Sequence, residues 1–177
     1  MKRKEFLKTA CGLGLAGSAS ALKAPARQTP PAKAEKPRDR FKEAWVLEMM
    51  QSLEKIVDPE TRGRLMNACG RACARRGGIL KTAAKFKGDV PGFVAALGPQ
   101  VGKDLCRMEG EVVHWGYPRC YCELVEAGPE RLPDSYCLCS AGWVQEVFET
   151  AAGRPVRVEV VQTIKRGAPD CRFLVRL

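Results

Sequence analysis

Histidine is almost absent from this chain. Its 177 residues include one histidine, His114, against nine cysteines. That excludes a metal site built on imidazoles and any catalytic pair of histidines, and leaves sulfur as the abundant soft ligand. Long apolar runs are missing as well. The longest candidate is a glycine-rich stretch of about thirteen residues near the N-terminus, too short to span a bilayer, so no stable membrane span is expected after processing. No internal repeat, helix-turn-helix pattern or aromatic-basic stripe is present, and none of the usual nucleophile motifs occurs.

What is present suits one globular domain with extensions: 45% apolar residues and three tryptophans. The formal charge of +10 is unevenly placed. Residues 1–38 hold nine Lys/Arg against two Asp/Glu, a balance of +7, and the remaining 139 residues are only +3. The basicity therefore belongs to the N-terminal extension, and no nucleic-acid partner is expected.

That extension reads as an export signal over residues 1–21. MKRKEFLK is a basic start, TACGLGLAGSASA a short apolar segment, and Ala19-Ser20-Ala21 a small-x-small cleavage site. The order Arg3-Lys4-Glu5-Phe6-Leu7-Lys8 resembles the twin-arginine signal, with Lys4 in place of its second arginine. The export machinery is thus an expected partner, and the expected location is periplasmic or otherwise outside the cytoplasm. Residues 22–38, rich in Pro, Ala and Lys, read as a linker, and 39–177 as a single cysteine-rich domain.

Apolar spacing predicts a helix over 39–57, with Asp39 as cap and Phe41, Trp45, Met49, Leu53 and Ile56 as its buried stripe. Asp58-Pro59 opens a second helix carrying Leu65, Cys69 and Cys73 on one face and ending at Gly77-Gly78. Short helical pieces follow over 79–87 and 91–97. The second half predicts strands over 111–117 and 119–125, a helix over 135–152 closed by Gly153, and a hairpin formed by 156–164 and 171–177. Cys171, Phe173, Val175 and Leu177 share one face of the last strand, and Phe173 is expected as a core anchor. The fold class is α+β: a helical N-terminal half, then an antiparallel sheet with a long helix packed on it and a C-terminal β-hairpin.

The stretch CYCELVEAGPERLPDSYCLC, residues 120–139, holds two Cys-x-Cys pairs. On a flat strand two such side chains start roughly 6.6 Å apart, whereas thiolates on one zinc ion sit within about 4 Å. Each pair must therefore bend at a turn or strand end, or else only one cysteine of each pair is a ligand; Pro118 and Pro133 supply such bends. Cys171 can join them through the hairpin. Cys120, Cys122, Cys137, Cys139 and Cys171 are candidate ligands for one metal, zinc or alternatively an iron–sulfur cluster, with Arg119 and Arg131 as cations beside the thiolates. Disulfides or plain burial are the other readings. Cys69 and Cys73 could form a half-site or fill the helix stripe, and Cys106 reads as core.

Residues 136–177 resemble the end of the 4-vinyl-reductase domain family. The matching features are Gly142, Gly153-Arg154-Pro155-Val156, the β-branched run 158–164 and Gly167-Ala-Pro-Asp-Cys171-Arg-Phe173. The resemblance implies an α+β small-molecule-binding domain, of a kind found in sensors of aromatic compounds and in tetrapyrrole-related proteins, some with a structural zinc. Of that zinc pattern Cys137 and Cys171 match the first and last members, while Val160 and Thr163 stand where a Glu and a Cys are expected. A small-molecule ligand is therefore expected, with His114, Trp115 and Tyr117 as pocket lining; the alternative reading makes Trp115 and Tyr117 core aromatics and His114 a hydrogen-bonded strand residue. The cysteine-rich middle and Cys-x-Phe ending also look like the amino-thiazoline-carboxylate hydrolases. That gives an alternative, a cysteine-dependent hydrolase using His114 as base. A disulfide-stapled binding protein without chemistry is the third reading.

Overall fold

The computed structural model describes residues 40–122 and 132–177. The export signal, the linker, Asp39, Arg131 and the end of the strand expected over 119–125 lie outside the described residues.

Helix α1 spans Arg40–Ile56. It buries Leu47 and Met50, with Val46 and Leu53 half-buried beside them. The expected stripe is largely on the outside: Phe41 is 78% and Ile56 81% exposed, and Trp45 is exposed too. The helix has two overlapping apolar stripes, and periodicity does not say which one meets a partner. Helix α2, Pro59–Arg76, begins where the Asp58 carboxylate accepts the Thr61 N–H at 2.9 Å, and its N-terminal proline has no N–H to leave unsatisfied. Its buried line is Met66, Gly70 and Ala74 rather than Leu65, Cys69 and Cys73; Leu65 and Cys69 are exposed and Cys73 is half-buried. Short helix α3, Ile79–Ala84, and helix α4, Val90–Val101, follow, the latter capped by Asp89 accepting from Gly92 N–H.

Strand β1, Cys106–Glu109, was not anticipated; it turns at Gly110, whose φ of +57° suits glycine, into β2, Val112–Tyr117. Arg119 to Cys122 form no strand. A 3-10 turn, Asp134–Cys137, leads into helix α5, Leu138–Ala152, which ends at left-handed Gly153. Strand β3, Arg157–Gln162, a second 3-10 turn, Ile164–Arg166, and strand β4, Cys171–Arg176, complete the chain. The four strands form one antiparallel sheet in the order β1-β2-β4-β3, so the C-terminal hairpin and the α+β architecture stand as expected.

Strand register decides which side chains face the helices. Cys106, Trp115, Phe173 and Val160 form one inward row across the sheet, and Val113, Val175 and Val158 the next. Helices cover this face only, as an antiparallel sheet allows. Phe173 is 1% exposed and meets Tyr117 edge-on at 5.6 Å, while Phe148 of α5 lies edge-on to both Phe93 and Trp115 at 5.6 Å. Helix α5 is buried on two sides because α2 crosses its other flank. At that crossing a Cβ on Gly70 would strike the Cys139 carbonyl, and one on Gly142 the Asn67 carbonyl. Two glycines thus bring the backbones into contact and fix where α5 begins. Arg71 clamps the same pair of helices through Glu146 and Glu149 at 2.8 and 2.6 Å.

Candidate functional site

Three segments converge at one end of the sheet. Tyr117 at the end of β2 pairs in register with Cys171 at the start of β4. Beyond Tyr117 the chain leaves the sheet, and Cys120 and Cys122 pack partly buried against the small cluster of Leu47, Met50, Met66 and Leu132. The 3-10 turn before α5 then brings Tyr136, Cys137 and Cys139 to the same place.

The side chains there act on one another. Cys122 Sγ is 2.8 Å from the Tyr136 hydroxyl. Burial, then negative charge on Cys122, Cys139 and Cys120, pushes the ionisation of that hydroxyl far up. Cys137 is raised first by burial and also by Cys171 and Cys120, while Thr163 and Lys165 act in the opposite sense. Cys171 is raised by burial and partly relieved by the Ile164 N–H, which donates to its Sγ at 3.3 Å. Cys120, Cys122 and Cys139 thus act on Tyr136 and Cys120 and Cys171 on Cys137, with Cys122 in direct contact with the Tyr136 hydroxyl. No disulfide joins the cysteines among the described residues. Among the described residues no three His, Cys, Asp or Glu side chains already stand in a metal-holding arrangement. A metal would have to draw these sulfurs together.

Of the two arginines expected beside the thiols, Arg131 lies outside the described residues. Arg119 stacks on Tyr121 at 4.9 Å, whereas Lys165, only 9% exposed, reaches Asp134 at 3.0 Å and favours the thiolate of Cys137. Cys106 is a core thiol, its pKa pushed up to about 11 by burial, with Sγ 3.8 Å from the Val94 carbonyl.

His114, Trp115 and Tyr117 are not brought to one pocket. Alternation on β2 puts His114 on the outer face, 3.0 Å from Glu109 and 3.4 Å from Arg107. Trp115 and Tyr117 face inward, within the aromatic core.

A cleft of about 390 Å³ opens instead beside Cys137. Leu138, Ala141, Val158 and Val160 supply apolar walls, Asn67 adds a polar side chain, and Thr163, 1% exposed, borders it. Asp134 and Arg166, each more than half exposed, stand at its open side and pair at 3.0 Å. A β-bulge aims Thr163. Val160 pairs with Phe173 and Gln162 with Arg172, so one residue is skipped between Val160 and Gln162. Gln162 then falls on the outer face, where it donates to Asp170 at 2.6 Å, and Thr163 turns inward. Its hydroxyl influences the Cys137 thiol yet makes no hydrogen bond of acceptable geometry. Sequence reading passed over Tyr136, Lys165 and this cleft because the bulge, which inverts the strand's phase, leaves no mark in a β-branched run.

No curated protein matches the chain. The model of a family described as "Family of unknown function (DUF6144)" matches residues 23–177. Since this covers most of the sequence, the thiol end and the cleft included, the chain belongs to that family of unknown function.

Proposed function

We propose that this is an exported domain that holds one metal ion, zinc, on its clustered thiols and binds a small molecule beside it, in the manner of the 4-vinyl-reductase-type sensor domains. The observation supporting the reading is that cysteines from three separate segments act on two neighbouring residues: Cys120, Cys122 and Cys139 on Tyr136, and Cys120 and Cys171 on Cys137. Four thiolates on a divalent ion leave a net charge of −2, which needs donors nearby. The Ile164 N–H on Cys171 Sγ and the Lys165 ammonium beside Cys137 are of that kind. The four positions of the sensor-type zinc pattern also lie close by: Cys137, Val160 and Thr163 border one cleft, and Cys171 borders Cys137. The two that lack ligands here, Val160 and Thr163, leave Cys120, Cys122 and Cys139 as replacements.

When bound, zinc would cross-link the exit of β2, the start of α5 and the start of β4. The protein's own residues orient the sulfurs: the Gly70–Gly142 crossing sets the start of α5, and the β2–β4 register sets Cys171. His114 is engaged with Glu109 on the outer face of the sheet, which gives no support to the hydrolase alternative.

Elemental analysis of anaerobically purified protein, with free thiols counted before and after reduction, tests the metal. About one zinc per chain is the expected result; a visible colour would point to iron–sulfur. A folded, reduced, metal-free protein overturns the reading. Export rests on the leader, which precedes the family match starting at residue 23. Cell fractionation should find a chain beginning near Leu22 outside the cytoplasm, and a full-length cytoplasmic chain would contradict it.

A further inference from the structure

Helix α1 presents an apolar face to the outside. Leu47 and Met50 turn into the domain, and Phe41, Trp45, Met49 and Ile56 lie nearly opposite them, within a sector of about 80° on a helix of 3.6 residues per turn. Of the six large apolar side chains exposed among the described residues, four belong to this one stripe. Scattered singly they would need no explanation, but grouped along about 22 Å of helix they form a docking face.

Charge says what docks there. Residues 22–42 hold seven Lys/Arg against two Asp/Glu, a balance of +5, and this basic stretch runs directly into the Phe41 end of the stripe. Within α1, helical spacing sets Lys42 and Lys55 beside the stripe, with Glu48 the one acid of the helix on its border. Glu43 and Glu54 fall on the inward side, where Glu54 meets Arg62 at 3.1 Å and accepts from the Ser135 hydroxyl at 2.6 Å.

We propose that α1 docks on an anionic phospholipid surface, with its outward stripe in the headgroup boundary and the basic stretch against the lipid phosphates. The helix lies in the plane of the surface, since no helix among the described residues is long and apolar enough to cross a membrane. Phe41 and Trp45 suit that boundary, where an aromatic ring meets hydrocarbon on one side and water on the other. An apolar protein partner would account for the stripe but not for the positive charge that leads into it; an anionic bilayer accounts for both. The proposal stands apart from the metal and small-molecule readings, because no cysteine and no residue of the cleft belongs to α1.

Vesicle sedimentation of the chain from Leu22 to Leu177 tests it, with phosphatidylcholine vesicles containing about one-third phosphatidylglycerol set against phosphatidylcholine alone. Binding to the anionic vesicles should be at least about tenfold tighter, and should weaken as salt rises above about 0.15 M. Tryptophan emission locates the contact: Trp115 and Trp143 are 4% and 7% exposed and Trp45 is 59% exposed, so a blue shift on adding vesicles reports Trp45. Phe41→Ser combined with Ile56→Ser should weaken binding at least about tenfold and leave the melting temperature unchanged, because both side chains already face water. Val161→Ser, at an exposed apolar residue of β3, should bind as wild type does. Lys33→Gln combined with Lys36→Gln should reduce the preference for anionic vesicles. Four results would overturn the proposal: no vesicle binding, equal binding to neutral and anionic vesicles, a Phe41→Ser/Ile56→Ser chain that binds undiminished, or one that melts markedly lower because the face is packed. A second copy is the competing occupant. A wild type that is dimeric without lipid, with the Phe41→Ser/Ile56→Ser chain monomeric, would assign the stripe to self-association and overturn the lipid surface.

Discussion

The two ends of the sheet differ in how far the chain completes them by itself. At one end Phe93 and Trp115 lie edge-on to Phe148 in a closed core that also buries Phe173, with Val113, Val144, Val147 and Val175 filling the space between. At the other, half-buried sulfurs surround Tyr136, a four-residue apolar cluster backs them, and a buried hydroxyl lacks a partner. Apolar burial and ring packing need nothing further to be stable. Half-buried thiols pack as small apolar groups but keep a capacity to bind metal that rings lack. The aromatic end therefore holds the fold, and the thiol end is where a ligand would add to it.

The largest expected effect falls on the aromatic end. Phe173, 1% exposed on the inward face of β4, should cost roughly 3–5 kcal/mol when changed to alanine, whether or not zinc is present. Denaturant unfolding with and without a chelator checks this; a loss that depends on the chelator would blur the division between the ends.

Cys106 sharpens the contrast, being a thiol in the dry core. Burial raises its pKa from 9.0 to about 11, so the folded chain keeps its proton where the unfolded chain has lost it. That stability is fully present below the unfolded value and declines as pH rises from 9.0 towards 11, by roughly 2–3 kcal/mol. Cys106→Ala should remove this part of the alkaline loss in pH-dependent unfolding. An unchanged alkaline slope would show that the thiol is not shielded.

The smallest effect concerns the clamp joining α2 to α5. Burial acts to raise Glu146 and Glu149, but it is outweighed by the hydrogen bonds and charges of Arg75 and Arg71 at Glu146, and of Arg71 with the Val156 N–H and Gln145 at Glu149, leaving both carboxyls below their usual 4.5. Their depressed values give stability that is present above the unfolded pKa and lost as pH falls through the folded one. With its partial exposure, the clamp should be worth about 1 kcal/mol. Arg71→Gln should flatten the acid limb of the stability curve below 4.5 by that much; an unaltered limb would remove the clamp from the account.

Much of the aromatic end was legible in the sequence, because alternation in 171–177 and the β-branched run before it fix faces without any tertiary knowledge. Phe173 lies where its alternation puts it. The helices were legible in extent but not in facing. The α2 stripe was misplaced because the true contact is made by Gly70, which no hydrophobic scale rewards. The α1 stripe was misplaced because two stripes compete on one helix. Strand β1 was missed since CRME is short and lacks a β-branched residue. At the thiol end the five cysteines could be named, but the backbone bend that gathers them, the Lys165 charge and the bulge aiming Thr163 all depend on contacts distant in sequence.

The central claim is that the clustered thiols, unlike the core thiol, hold a metal. Zinc stoichiometry of anaerobically purified wild type, Cys171→Ser and Cys106→Ala chains tests it most directly. About one zinc per chain in wild type and Cys106→Ala, with its loss in Cys171→Ser, is the expected result. Equal zinc content in all three, or a folded wild type without metal, would contradict the account.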